Sequence, residues 1–500
     1  MKSRFVSGIG CLALAQVFAT VPTEVVAHFD SPAPPVQPGP PSPAAPALSW
    51  IPLPTDGIPI PIESGPCDGF GEEDAVFFSH ELTLPGRDAL RVYFAECRLG
   101  QASYIRLTSG RDGGVQILDA RAMRYWRGAS AFFNGDAVLV ELVVAPEDRD
   151  VSVQLAGVGG SGDGDGSPPP QPVTLCGNDN RGASTDARVC RIALNTNDPN
   201  NPLAWCTAWQ VSNGAVLTAG HCIDSDPDGP GPMLPDGVVE ANFLSGVVQF
   251  NVPASSCSGT PNHPPPADQY PVDAVTAFQF SGEGQSIGRD WAVFSILPNG
   301  GDAAHASRGW FRMTNELPAV GAAVRVTGFG TDSTPMGCSG DPNFPQNAQS
   351  QTNQTSTGPF VGETVTPNAI SLQHAVDTEG GNSGSPIIWE AQGITIGIHT
   401  AGGCTSEGGA NNGTSFELDA LENALASFPG PNCRFVDAAF PLSVTRDGTI
   451  FRPWSSFLTG VLGVPTGGTL VIVPGTYHQT LTISKAMTIV APAGTATIGP

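Results

Sequence analysis

From residue 174 to residue 430 the apolar residues come in short runs, each closed by Pro or Gly, in a chain that holds 61 Gly and 48 Pro among 500 residues. Such runs stand at 189–194, 204–211, 215–219, 247–252, 291–297, 323–327 and 394–399. They are too short for self-supporting helices and suit strands, and their spacing is that of antiparallel barrels. One helix is expected near the end of the segment, where Leu418, Leu421 and Leu425 share a face before Phe428-Pro-Gly stops it. Alternating runs at 89–95, 103–107 and 137–144 predict a small β-sandwich over 67–156. A Pro-rich stretch, 28–66, precedes it as an extended spacer, and a Gly/Asp/Pro linker, 157–173, follows it. In 434–500 the runs at 469–473, 481–483, 487–490 and 495–498 have the look of rungs of a parallel β-helix. One or two rungs cannot bury a core alone, so this tail is expected to dock on what precedes it or to pair with another chain.

Charge narrows the partners. The chain has 22 Lys+Arg against 46 Asp+Glu, a net charge of −24. Little cation is available to neutralise phosphates, which argues against nucleic acid or an anionic membrane as partner. Lys2 and Arg4 ahead of an apolar run to Val17, with small residues near Ala19 and Ala27, predict a signal peptide over 1–27 and hence an exported, extracellular protein. No later run is long enough to span a bilayer. Setting aside Cys11 in the leader leaves ten cysteines, an even number that suits disulfides in an oxidising compartment. No Cys-x-x-Cys spacing or close His pair calls for zinc.

Three local patterns carry chemistry. Residues 216–222, Val-Leu-Thr-Ala-Gly-His-Cys, place His221 at the end of an apolar run and beside a cysteine, as a fixed general base requires. Residues 381–386, Gly-Asn-Ser-Gly-Ser-Pro, place Ser383 on a glycine turn whose amides can face a developing oxyanion. Between them Asp290 precedes the strand-like Trp-Ala-Val-Phe-Ser-Ile. Asp290 follows His221 by 69 residues and precedes Ser383 by 93. Each residue alone has an ordinary reading as packed histidine, turn serine or strand cap. Their joint order, His then Asp then Ser, is that of one of the known triad arrangements.

On these motifs the segment 174–430 resembles the chymotrypsin-like serine protease family, and is closest in wording to its bacterial secreted branch of glutamyl-specific endopeptidases. The resemblance covers about half of the chain. It implies an all-β fold: a two-barrel chymotrypsin-like protease domain, here preceded by the small β-sandwich and followed by the β-helix-like tail, which itself resembles the opening of pectin-lyase-like repeats. It also implies that Ser383 attacks a peptide carbonyl, His221 takes and returns the proton, and Asp290 holds the imidazole. The amides of Gly381 and Ser383 would form the oxyanion hole, worth ~3 kcal/mol per donor. Asn382 departs from the aspartate of trypsin-like zymogens, which pairs with a newly cut N-terminus. Maturation here is therefore expected not to need that ion pair or a cut near Arg188 or Arg191.

Specificity divides the reading. Asp377, six residues before Ser383, marks in the trypsin group a pocket floor for Arg or Lys. Thr378, His399 and Thr400 match instead the pocket of glutamyl-specific relatives. Asp224, Asp226 and Asp228 begin a calcium-like loop, but Pro235 stands where the bidentate glutamate belongs, so calcium is at most an accessory and the chemistry requires no cofactor. Cys206 and Cys222 bracket the strand and turn that end at His221 and are expected to pair. Cys67 with Cys97, and Cys176 with Cys190, are expected to pair as neighbours, while Cys257, Cys338, Cys404 and Cys433 are left open. The expected partner is a polypeptide substrate, with oligomeric state unassigned. The rival reading is a surface adhesin or glycan-binding protein carrying an inactive protease-like domain, which the Pro-rich spacer and β-helix-like tail also fit.

Overall fold

The computed structural model describes residues 3–5, 50–54, 57–161, 173–195, 203–224, 237–282, 287–338, 340, 342 and 345–499. Most of the expected leader and spacer, residues 162–172 of the expected linker 157–173 and the acidic loop holding Asp226 and Asp228 lie outside the described residues, while 157–161 are not linker but the end of the strand Ser152–Ser161. The first unit is a sandwich. Strands β1 (Ala75–Thr83), β2 (Ala89–Arg98), β3 (Tyr104–Ser109), β4 (Val115–Asp119), β5 (Ala137–Val144) and β6 (Ser152–Ser161) form two antiparallel sheets, one ordered β1-β5-β3-β4 and the other pairing β2 with β6. Leu90, Val92 and Phe94 of β2 face Ile105, Leu107, Val138, Val140 and Leu142 of the other sheet in one buried core. That alternation is what the period-2 runs encode.

The expected Cys67–Cys97 bridge is corrected. Cys67 pairs with Val151 on one side of the 151–154 strand and Cys97 pairs with Val153 on the other. A strand between them sets them ~9.5 Å apart, two strand spacings, beyond disulfide reach. Both are unpaired.

Next comes a closed barrel of β9 (Val189–Asn195), β10 (Leu203–Gln210), β11 (Val216–Thr218), β12 (Val247–Gln249), β13 (Gln269–Gln279) and β14 (Trp291–Ile296), in the order β9-β10-β11-β14-β13-β12. Its interior holds Ile192, Phe243, Val248, Phe250, Tyr270, Ala292 and Phe294. Cys190 sits in that same interior on β9, opposite Ala208, so it cannot reach Cys176, and the expected Cys176–Cys190 bridge is likewise corrected. Cys176 is bonded instead to Cys404, and Cys257 to Cys338, while Cys433 is unpaired and buried.

The second barrel is built from β15 (Ala323–Gly328), β16 (Gln354–Thr366), β17 (Ala369–His374), β19 (Pro386–Trp389), β20 (Ile394–Ala401) and β21 (Asn411–Ser415). The sequence of pairings β16-β15-β19-β20-β21-β17 returns to β16 and so closes. A strap runs along it: β7 (Val173–Thr174) pairs with β18 (Thr378–Glu379), and β8 (Gly182–Ala183) with β16. Helix α1 (Asp419–Ala426) buries Leu421 and Leu425, as their spacing predicts.

The tail is parallel. β22 (Arg434–Val436), β23 (Thr469–Ile472) and β25 (Thr488–Val490) pair in parallel, as do β24 (Gly475–Tyr477) and β26 (Ala496–Ile498). It docks on the barrels. Phe435, Ile450, Phe451 and Val471 share one core with Trp209, Trp291, Phe311, Leu421 and Leu425. Arg312 and Asp437 add an ion pair at 2.6 Å. Among the described residues no helix is long and apolar enough to cross a membrane.

Candidate active site

Three buried residues, Val216, Leu217 and Thr218, carry β11 to the seam between the barrels, and one tight turn, Gly220–Cys222, then presents His221. Only glycine fits at 220, where an added Cβ would stand 2.2 Å from Gln279 O and 3.1 Å from Asp290 Oδ1. Asp290 takes both donors of the turn residue: His221 N reaches Oδ1 at 3.0 Å and His221 Nδ1 reaches Oδ2 at 2.7 Å. A carboxylate can only accept, so Nδ1 carries the proton and Nε2 is left with its lone pair. Asp290 is itself fixed from the second barrel. Its N donates to Thr414 Oγ1 at 3.0 Å and its carbonyl accepts from that hydroxyl at 2.8 Å. The imidazole is half-buried, with Phe280 tilted against it at 5.8 Å.

Ser383 arrives on the loop between β18 and β19, and Thr207 of β10 gathers the parts. Thr207 N donates to Ser383 O at 2.9 Å, Thr207 Oγ1 donates to Gly381 O at 2.9 Å, and Thr207 O accepts from Thr218 Oγ1 at 2.8 Å. Its neighbour Cys206 is bonded to Cys222, the residue after His221, as expected. The backbone at Gly384 packs so closely on this group that a Cβ would lie 2.1 Å from Thr207 O and 3.0 Å from Ala219 N. One threonine thus joins the Ser383 turn to the His221 turn.

The turn leaves two of its amides unbonded. Gly381 and Gly384 have φ of +98° and +90°, conformations reserved for glycine. The amides of Asn382, Gly384 and Ser385 are bonded to Glu379 O, His399 O and Asn382 O. Among the described residues, those of Gly381 and Ser383 meet no protein acceptor. Two free N–H groups flanking the serine are what an oxyanion hole requires.

The specificity candidates separate. Asp377 is buried, but its two oxygens accept from Cys176 N at 2.8 Å and Asn180 N at 2.9 Å. Its carboxylate anchors the strap, with both oxygens taken up by backbone amides. Thr378 Oγ1 pairs with Thr174 Oγ1 at 2.9 Å and accepts from Asn411 Nδ2 at 3.0 Å. His399 and Thr400 are buried on β20, and Thr400 Oγ1 has no partner among the described residues. Behind them, Val376 N donates to His374 Nδ1 at 3.3 Å, so His374 Nε2 carries the proton and donates to His399 Nδ1 at 3.2 Å. His399 Nε2 is then the protonated nitrogen. Burial holds both rings neutral, with His374 pushed down to about 3.

Asp224 is buried and accepts from Gly237 N at 3.0 Å, the role of a loop anchor. Cys206, His221 and Cys222 lie close enough to suggest a metal cluster, but the disulfide removes both thiolates. Thr207 and Thr414 were missed by sequence reasoning. Adjacency to Cys206 was the one signal for the first, and nothing local marks the second.

A sequence model of the trypsin-like peptidase domain matches residues 206–398, which include His221, Asp290 and Ser383. Among solved structures the chain is similar to a Glu endopeptidase in complex with MPD, at 16% identity and a TM-score of 0.34 over 50% of this chain and 98% of that one. It is similar also to the protease Anisep from Arthrobacter nicotinovorans, at 16% identity and a TM-score of 0.34 over 49% of this chain and 100% of that one. No curated protein matches. The chain therefore carries a trypsin-like peptidase domain, spanning 206–398 by that match.

Proposed function

We propose that the chain is an exported serine endopeptidase that hydrolyses peptide bonds through an acyl-enzyme. Ser383 Oγ attacks the scissile carbonyl as His221 Nε2 takes its proton, and the amides of Gly381 and Ser383 receive the oxyanion. His221 returns the proton to the leaving amine, then activates water to release the acyl group. Asp290 keeps Nδ1 protonated and stabilises the imidazolium. The observation that carries this reading is the double grip of Asp290 on His221, made beside a serine turn with two unoccupied amides. A protease-like domain retained only for adhesion would have no use for that pairing. The test is labelling with a fluorophosphonate. Folded protein should be labelled once per chain and Ser383→Ala not at all, and an unlabelled folded chain would discard the reading.

For primary specificity we infer cleavage after Glu or Asp. Asp377 is occupied by amides and offers nothing to a guanidinium, while the relay from Val376 through His374 leaves His399 a donor for a substrate carboxylate. A peptide library cleaved after acidic residues, with His399→Phe raising KM more than it lowers kcat, is the expected result. Cleavage after Arg or Lys would reverse the assignment.

A further inference from the structure

The strap 173–183 brings one cation beneath the nucleophile turn. Arg181, with 2% of its side chain exposed, grips Asp179 with two bonds, Nε to Oδ1 at 3.0 Å and a terminal nitrogen to Oδ2 at 2.7 Å. The same terminal nitrogen lies 3.2 Å from Glu379 Oε2 and 3.9 Å from Asp332 Oδ1, and the other donates to Thr331 O at 2.5 Å. All three carboxylates are themselves buried, with 3–6% of each side chain exposed. A buried carboxylate without a cation would be costly, so the guanidinium is what permits Glu379 to stand here.

Glu379 opens the turn. Its carbonyl accepts from Asn382 N at 3.0 Å and from Asn382 Nδ2 at 3.2 Å, while Thr331 N holds Gly380 O at 2.8 Å. These bonds leave the two flanking amides unoccupied. Asn382 and Arg181 meet over Gly330, where a Cβ would be 2.1 Å from Asn382 Nδ2 and 3.3 Å from an Arg181 nitrogen. The cation is delivered by the anchors of the strap: the Cys176–Cys404 bond, the β7–β18 pairing, and the hold of the Asp377 carboxylate on Cys176 N and Asn180 N.

We propose that Arg181 is a positioning residue for the oxyanion-binding turn: an internal side-chain cation that sets Glu379–Ser383 in its working shape, so that the chain is competent without a cut near the strap. This rests on the serine endopeptidase reading above. Arg191 fits it: it is fully buried in β9 with its guanidinium on Gln249, Gln351 and Asn262, closed to a protease in the folded chain.

The experiment compares the full-length chain with Arg181→Met and Arg181→Lys, following peptide hydrolysis, the rate of fluorophosphonate labelling, and folding by circular dichroism. Folded R181M should lose at least 100-fold in kcat with KM within threefold, and its labelling rate should fall in parallel. R181K should recover at least tenfold over R181M. An R181M that is folded and within threefold of wild type in kcat overturns the proposal, as does a loss confined to KM. Should R181M not fold, two further readouts decide. Glu379→Gln should lower kcat at least tenfold with KM held, and the uncut chain, its N-terminus blocked by an uncleaved tag, should match the trimmed enzyme. An unchanged E379Q, or an uncut chain without activity, counts against it. Absence of labelling in wild type would instead strike the serine endopeptidase reading itself, so the two failures are distinguishable.

Discussion

At the scale of single residues, the site depends on groups that hold other groups. Asp290→Asn would keep the shape but offer a donor where an acceptor is needed, inverting the tautomer of His221. Its kcat should fall roughly 10⁴-fold in a steady-state peptide assay, with the melting temperature little changed. Thr207→Val removes a hydroxyl that donates to Gly381 O and accepts from Phe329 N at 2.9 Å. Two buried groups then lose a partner, at about 1–3 kcal/mol each, and kcat should drop at least tenfold while KM stays. The meeting of His221 with Asp290 and the glycine turn at Ser383 were legible because their neighbours repeat a known sequence pattern. Thr207 and Thr414 were not, since a hydroxyl becomes important only through what the fold lays against it. The two pocket readings stayed open at Asp377 for the same reason: a short distance along the chain from Ser383 says nothing of where its carboxylate turns.

At the scale of elements, seven barrel strands followed the short apolar runs and α1 followed its leucine spacing, whereas Gln269–Gln279, Gln354–Thr366, Ala369–His374, Pro386–Trp389 and Asn411–Ser415 lie outside those runs. The strap escaped notice. Its two strands are two residues long each, with no periodicity, and take their order from partners in the second barrel. Its anchor closes a separation of 228 residues, for which chain-entropy arguments give about 5 kcal/mol. Cys176→Ala with Cys404→Ala should therefore lower the urea midpoint clearly. An unshifted midpoint would mean the unfolded chain gains nothing from its release. The histidine relay sets a pH limit. His374 falls from its ordinary 6.5 to about 3 because burial disfavours its charge, so the folded form is favoured above pH 6.5 and loses that advantage as pH drops toward 3. His374→Gln should flatten the acid limb of a melting-temperature profile between those values.

Across the whole molecule, sandwich, barrels and tail are fastened by buried contacts. Arg91 donates to Ser130 O at 2.8 Å and, across the junction, to Ser245 O at 2.7 Å, while Phe132 and Gln269 exchange two bonds. Arg91→Met should separate sandwich and barrel melting in calorimetry, where the unaltered chain should show one transition. Within the sandwich, Asp148 is opposed by burial, yet the amides of Ala102, Gln101 and Ser103 and the Ser103 hydroxyl outweigh it and bring it to about 2. That support is complete above pH 3.8 and is lost as pH falls toward 2, so Asp148→Asn should remove this part of the acid sensitivity. Nothing in composition marks this fastening, because the polar residues at the junction are ordinary in sequence. The core shared by Phe435, Phe451 and Val471 with Trp209 and Leu421 bears on how such a molecule can be re-engineered. An enzyme excised at residue 430 would bare a greasy scar, so anyone transplanting its catalytic half into a new scaffold must carry the coils along or repaint that surface with polar side chains.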